Sequence, residues 1–124
     1  MAIETVLLDA GGVLVFPNWE RVAETFARHG LHVSAEALRG ADPEAKFATD
    51  EARHVAATND ADRGSLYFRL VLTRAGIPPD AAIQAPLNEL WAYHNEHNLW
   101  EYVPDDVFPA LERLNALGVR LAVA

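Results

Sequence analysis

A single carboxylate stands where this sequence could do chemistry. Asp9 comes directly after an apolar run, Ile3–Leu8, and directly before a turn of small residues that contains Gly11 and Gly12. A glycine-rich turn leaves backbone N–H groups free to face an anion, and a carboxylate beside it can act as a nucleophile or as a metal ligand. The competing interpretation is that Asp9 only caps the turn through its side chain.

Two histidines form a second candidate group. His94 and His97 are three residues apart on a predicted helix, with Glu96 between them, and such a pair can share a metal ion. Zinc sites use at least three protein ligands, and no further ligand pair is visible, so this spacing favours the polar shoulder of an amphipathic helix. The aromatic residues mostly fall at helical spacing, which favours a hydrophobic core over a platform that stacks nucleobases.

The hydrophobic pattern predicts the elements that position these groups. Continuous apolar character at 3–8 is typical of a strand buried on both faces of a parallel sheet. Helical spacing follows, with glycines after several helices and polar caps before them. The expected end residues are Gly30, Gly76 and Gly118, and the expected caps are Ser34 and Asp105. Strands are predicted at 3–8 and 119–124, and helices at 19–29, 35–40, 65–75, 80–97 and 106–117. The helix at 35–40 is expected to continue after Pro43 as far as residue 58.

The order of these elements predicts an α/β fold. A helix that leads directly into a second apolar strand is typical of a βαβ-type parallel architecture. Two parallel strands alone do not form a sheet with both faces covered, so the 124 residues are expected to be an incomplete fold, either a fragment of a longer enzyme or a truncated gene product. The open edges of so small a sheet predict self-association.

Composition narrows the classes of partner. The net charge is −8, Lys46 is the only lysine, and the arginines are scattered. Nucleic acids and anionic membranes require clustered basic residues, so both are disfavoured as partners. The chain has no cysteine, which suits the cytosol, and its apolar runs stay short of the ~20 residues that cross a bilayer. We therefore expect a cytoplasmic protein whose partner is neither a nucleic acid nor a membrane.

The stretch VLLDAGGVL, at residues 6–14, resembles the first motif of the haloacid dehalogenase-like (HAD) superfamily, an apolar strand ending in Asp-x-Asp-Gly-Thr/Val-Leu/Val. The matching residues are Asp9, Gly12, Val13 and Leu14. The helices that follow are similar to the cap of the subgroup that inserts its cap after this motif. The resemblance implies an incomplete HAD-like Rossmannoid core, with a partial parallel sheet, at 1–16 and 100–124. It also implies a four-helix-bundle cap at 17–99.

The resemblance assigns roles to the turn and its neighbours. Asp9 would be the nucleophile that forms a covalent aspartyl intermediate, and it would ligate Mg²⁺ together with the backbone carbonyl of Gly11. Backbone amides around Gly11 and Gly12 would hold the phosphoryl oxygens of the substrate. Because pockets favour domain junctions, Phe16 and Trp19 are candidates for substrate contact between core and cap. The implied activity is hydrolysis of a small phosphorylated or related molecule.

The turn departs from the family pattern at one position. Phosphatases of the family carry an aspartate where this chain has Gly11, and that aspartate protonates the leaving oxygen and later activates water. General acid–base help contributes roughly 10²–10⁴-fold, so an alkyl phosphate monoester is a poorer substrate for this turn. Members that cleave carbon–halogen or carbon–phosphorus bonds also lack the second aspartate, but the tyrosine and the Trp-Arg-Gln stretch of the dehalogenases are missing here. Lys46 is the sole candidate for the cap lysine of the carbon–phosphorus hydrolases, and its acidic neighbours disfavour imine chemistry.

The remaining family motifs, a Ser or Thr, a Lys and an acidic pair, would follow Ala124. Without them one carboxylate and one carbonyl make a weak Mg²⁺ site, and we expect the truncated chain to be catalytically incompetent. One alternative is a non-catalytic binding or regulatory relative that uses the helical cap as an interaction surface. Another is an unrelated helical protein with a short N-terminal strand.

Overall fold

The described part of the chain, residues 2–55 and 60–124 of a computed structural model, contains five helices and two strands. In chain order they are β1 (Thr5–Leu8), α1 (Trp19–Arg28), α2 (Ala35–Val55), α3 (Asp60–Arg74), α4 (Gln84–His97), α5 (Val107–Ala116) and β2 (Arg120–Val123). The two strands are parallel neighbours in one sheet. The predicted α/β class is confirmed at this level, and so is the parallel pairing of the first and last strands.

The sheet is open on one face. The strands pair residue for residue from Thr5 with Arg120 onward, so side chains at alternate positions lie on opposite faces. Leu7 is 69% exposed, whereas Val6 and Leu8 are half-buried. The prediction of a strand buried on both faces is therefore wrong, because only the face that carries Val6 and Leu8 is partly covered.

The predicted helix ends are largely confirmed. Gly30, Gly76 and Gly118 all have positive φ, at +78°, +107° and +79°, as expected for glycines that follow a helix. The Ser34 hydroxyl accepts a hydrogen bond from the Ala37 N–H at 3.0 Å and caps α2.

Helix α5 begins one residue later than expected. Its N-cap residue is Asp106 rather than the predicted Asp105, and Asp106 makes no side-chain cap hydrogen bond. The helix has no buried residue. Leu117, the last residue of the predicted helix, is the C-cap residue just beyond the helix end and is exposed.

Helix α2 runs through Pro43 without a break, although the sequence predicts an interruption there. Proline removes one backbone donor and normally ends a helix. Buried Leu38, Ala41 and Ala45 flank this proline, so the packed face of the helix continues across it. Tertiary packing therefore outweighs the local preference.

Helix α3 begins at Asp60, five residues before the predicted start. Most of the polar stretch 59–64 is helical, while Asn59 lies outside the described residues. The Trp91 ring lies so close to Gly64 that a Cβ there would come within 3.0 Å of it, which gives this mid-helix glycine a packing reason. Helix α4 in turn starts at Gln84 rather than Asp80.

Contacts divide the chain into two compact units. The sheet unit comprises the residues up to Asn18 together with Tyr93–Ala124, and the helical unit comprises Trp19–Ala92. The predicted domain limits, at 16/17 and 99/100, stay predictions. In the helical unit α2 packs against α1 and α3. The buried apolar residues of that unit include Trp19, Val22, Phe26, Leu38, Ala45, Phe68, Val71, Leu72, Leu87 and Leu90. Within the described ranges, none of the helices is long and apolar enough to cross a bilayer.

Candidate active-site turn at Asp9

Asp9 lies immediately beyond β1, at the carboxyl end of the parallel pair. The Ala124 N–H donates to the Leu8 carbonyl at 2.8 Å, so the residues that follow the two strands lie side by side. Open parallel sheets bind ligands beyond this edge. The Asp9 side chain is exposed, and no described residue donates a hydrogen bond to it. The capping interpretation needs such a bond, so this geometry favours a carboxylate that is available to a ligand.

Hydrogen bonds between backbone groups of the turn itself close the turn after Asp9. The Ala10 carbonyl accepts hydrogen bonds from the N–H groups of Val13, Leu14 and Val15 at 3.2, 2.9 and 3.0 Å. Gly12 has a φ of +78°, a conformation that costs a residue with a Cβ roughly 1–2 kcal/mol. The sequence therefore supplies glycine where the turn needs it.

The two glycine amides of the turn differ in availability. The Gly12 N–H donates to the Val15 carbonyl at 2.8 Å, so the phosphoryl-binding role expected of this amide stays a prediction. The Gly11 N–H has no acceptor among the described residues. An amide of this kind, beside an exposed carboxylate, can donate to an anionic oxygen of a ligand.

The turn supplies only part of a magnesium site. The Asp9 carboxylate and the Gly11 carbonyl are oxygen donors of the type that Mg²⁺ prefers. Across residues 2–55 and 60–124, however, no group of three His, Cys, Asp or Glu side chains could hold a metal ion. Mg²⁺ needs near-octahedral coordination and gives up its waters reluctantly. The described residues therefore do not make a complete Mg²⁺ site, and magnesium at Asp9 and Gly11 stays a prediction.

A tryptophan lies beside the turn. A Cβ placed on Gly11 would meet Trp100 Cδ1 and Trp100 Nε1, each at 3.9 Å. The position where phosphatases of the resembling family carry their second carboxyl group is therefore bounded by an indole. The sequence prediction missed Trp100. The one signal in the sequence that could have found Trp100 is its position, because it follows the end of a predicted helix and belongs to no helical face.

Backbone hydrogen bonds hold the Trp100 segment against the residues that follow the turn. Phe16 and Tyr102 exchange two N–H···O bonds at 2.8 and 3.1 Å, and the Asn18 N–H donates to the Leu99 carbonyl at 2.9 Å. The Glu101 carboxylate accepts hydrogen bonds from the Asn18 side chain and the Tyr93 hydroxyl, both at 2.9 Å. The segment from Leu99 to Tyr102 is thus fixed on both sides of Trp100.

His94 supports the same segment and does not pair with His97. The Leu99 N–H donates to His94 Nδ1 at 3.1 Å, so this nitrogen acts as an acceptor. The His94 ring also packs edge-on against Trp100, with 5.3 Å between centroids. His97 instead lies 3.7 Å from the Glu96 carboxylate on the exposed surface. His94 therefore does more than line a polar shoulder, and the preference for a non-metal role of the two histidines stays a prediction.

Phe16 and Trp19 have different surroundings. Phe16 is half-buried and belongs to the sheet unit, beside the turn in sequence. Trp19 belongs to the helical unit, where it is 2% exposed and packs edge-on against Phe68 with 6.4 Å between centroids. A side chain so buried contributes first to the helical core, and the substrate contacts expected of both residues stay predictions.

The helical unit contains a hydrogen-bonded Asp–Tyr pair with a buried carboxylate, which the sequence prediction also missed. The Tyr67 hydroxyl donates to the Asp42 carboxylate, and Asp42 is only 7% exposed. Burial raises the pKa of the Tyr67 phenol, and the hydrogen bond and charge of Asp42 raise this pKa further. Lys46, one turn after Asp42, is half-buried in α2, and its suggested imine chemistry stays a disfavoured alternative.

An exposed ion cluster joins α4 to the end of α1. The Glu89 carboxylate accepts hydrogen bonds from Arg28 and from His29, whose Nε2 lies 2.9 Å away. The hydrogen bonds from His29 and then Arg28 lower the pKa of Glu89. Because all three side chains are accessible, solvent screens this cluster and it contributes little to stability.

Comparisons with known proteins assign no family. No protein-family model matches the chain, and no curated protein matches it significantly.

Proposed function

We propose that this chain carries the nucleophile of a HAD-like hydrolase that acts on a small phosphorylated or related molecule. Asp9 attacks the phosphoryl or related centre, and the Gly11 amide binds one of its oxygens. In this proposal the sheet unit belongs to the Rossmannoid core and the helical unit to a four-helix cap. The ligand is a small molecule, neither a nucleic acid nor a membrane, and the setting is cytoplasmic.

One observation carries the proposal. An exposed carboxylate with no donor among the described residues lies just beyond β1, at the sheet edge where open parallel sheets bind ligands. A carboxylate that only shaped the turn would accept a hydrogen bond from it. The exposed Asp9 and the Gly11 amide, which has no acceptor among the described residues, are instead complementary to a ligand that has both an electrophilic centre and an anionic oxygen.

The proposal includes a low turnover for the 124 residues by themselves. Glycine at position 11 cannot donate a proton to a leaving group, and the oxygen donors at the turn are too few for a tight Mg²⁺ site. We therefore test binding at Asp9 and do not rely on catalysis.

Beryllofluoride, which mimics a phosphoryl group on a carboxylate, tests the nucleophile. ¹⁹F NMR of the chain with beryllofluoride, with and without Mg²⁺, should show a protein-bound signal that Asp9→Asn removes. Asp105→Asn is the matched control, because Asp105 is also an exposed carboxylate of the sheet unit. An unmodified chain without any bound signal, or a signal that survives Asp9→Asn, would contradict the proposal.

A second candidate is a non-catalytic binding or regulatory protein that uses its helices. An open groove of about 420 Å³ in the helical unit favours it, because exposed Phe47 lines this groove together with Pro43 and Arg74. Sequencing the coding region beyond Ala124 discriminates between the two. A Ser or Thr, then a Lys, then an acidic pair would favour the hydrolase, whereas a stop codon would favour the binding protein.

A further inference from the structure

Backbone hydrogen bonds of its own segment and the His94 ring hold Trp100 beside the turn. Asn98 has a φ of +69°, an uncommon conformation for a residue with a Cβ, and its side-chain oxygen accepts the Trp100 N–H at 3.0 Å. The Leu99 N–H is fixed by His94, and Leu99 itself is fully buried. A strained residue, a buried neighbour and a histidine thus set the position of one half-buried indole.

The indole borders the position where the resembling phosphatases carry their acid. A Cβ on Gly11 would lie at an ordinary contact distance, 3.9 Å, from the pyrrole edge of Trp100. A group bound at Asp9 and extending past Gly11 therefore meets the edge of an indole where those phosphatases present a carboxyl group. The positive edge of an aromatic ring packs well against the face of a flat aromatic group.

The lack of a carboxyl group at position 11 also favours an aromatic leaving group. An alkoxide leaving group needs a proton, because alcohols, like water, are far weaker acids than phenols. A phenol has a pKa of about 10, so a phenolate departs without help from a general acid. An aryl leaving group therefore suits both the glycine at position 11 and the indole beside it.

We infer that Trp100 is a ligand-contacting residue of the Asp9 turn and that the substrate class is an aryl phosphate. This inference rests on the proposed function. An Asp9 carboxylate oxygen bonds to phosphorus, the bond from phosphorus to the aryl oxygen breaks, and the electron pair leaves on the phenolate. Water then attacks phosphorus, the aspartyl oxygen is released as carboxylate, and one proton passes to solvent.

Binding of two phosphonates tests the inference without requiring turnover. Phenylphosphonate and methylphosphonate carry the same anionic oxygens and differ in the group beside phosphorus. ¹⁵N NMR titration of the chain should show phenylphosphonate binding about five- to tenfold more tightly, as expected for one aromatic contact. The Gly11 amide and Trp100 indole signals should shift, while the indole signal of Trp91, whose ring packs against Phe68 and beside Gly64, should stay in place.

Two variants of Trp100 complete the test. Trp100→Ala should lose the preference for phenylphosphonate and keep its affinity for methylphosphonate, and Trp100→Phe should keep most of the preference. The dispersion of the same spectra shows whether each variant is folded. Equal affinities in the unmodified chain, or a preference that survives Trp100→Ala, overturn the role of Trp100 and leave the proposed function standing. Failure of both phosphonates to bind overturns both.

Discussion

At the residue scale, the clearest energetic cost in the chain lies at the Asp42–Tyr67 pair, where a carboxylate is buried. A buried carboxylate is costly unless it is hydrogen-bonded, and the Tyr67 hydroxyl is its donor between α2 and α3. Burial and the neighbouring carboxylate both raise the pKa of Tyr67, since each disfavours the phenolate. The pair therefore holds the two helices together only while the phenol keeps its proton.

We expect Tyr67→Phe to lower the free energy of unfolding by about 1–3 kcal/mol, because it leaves a buried acceptor without its donor. The raised pKa also gives a pH dependence. The stabilisation is fully present below the ordinary phenol pKa of about 10 and is lost as the pH rises above it. Urea unfolding followed between pH 7 and 11 should therefore show a decline that Tyr67→Phe reduces.

Tyr93→Phe is the control for that prediction. The Tyr93 hydroxyl also donates to a carboxylate, but its acceptor, Glu101, is exposed. Water can replace the lost donor there, so the loss at pH 7 should be smaller. Equal losses in the two variants would show that burial of Asp42 does not set the cost.

At the element scale, two helical glycines have opposite surroundings. Gly40 lies within α2 and a Cβ there would meet nothing within 4 Å. Gly64 lies within α3, where a Cβ would come within 3.0 and 3.1 Å of the Trp91 ring. The same residue type is thus a local weakness in one helix and a packing requirement in the other.

Gly40→Ala should raise the free energy of unfolding by about 0.5–1 kcal/mol, because alanine favours a helix over glycine by that amount. Gly64→Ala should forfeit this gain or reverse it, because the Trp91 ring must move. Thermal and urea unfolding of the two variants measure the difference. In a Trp91→Ala background Gly64→Ala should become stabilising, and an equal gain for both glycines in the unmodified chain would refute the packing argument.

At the scale of the whole molecule, apolar surface remains exposed on the sheet unit. Ile3 is 72% exposed and Val123 61% exposed, and the described sheet has only two strands. Exposed strand edges and apolar faces favour association. The net charge of −8 opposes it, because like-charged copies repel each other.

We therefore expect the chain to self-associate, and more strongly at high salt, where the repulsion is screened. Sedimentation velocity over a concentration series at about 0.05 and 0.5 M salt measures this, the two conditions bracketing physiological ionic strength. Leu7→Thr should weaken the association, because it removes apolar surface from the open face of the sheet. Phe47→Ser, which removes a similarly exposed side chain from the helical unit, should change it less. A monomer at every concentration and salt level would contradict the prediction.

The sequence by itself determined the local features of this protein. Asp9 after an apolar strand, the Ser34 cap and the glycines after the helices depend on backbone conformation within a few residues, so short patterns predict them. The tertiary structure alone decided which side chains meet. It brought Trp100 to Gly11, Tyr67 to Asp42 and Trp91 to Gly64, carried α2 through Pro43, and left Leu7 exposed, because contacts between residues distant in the chain depend on packing that no local pattern encodes.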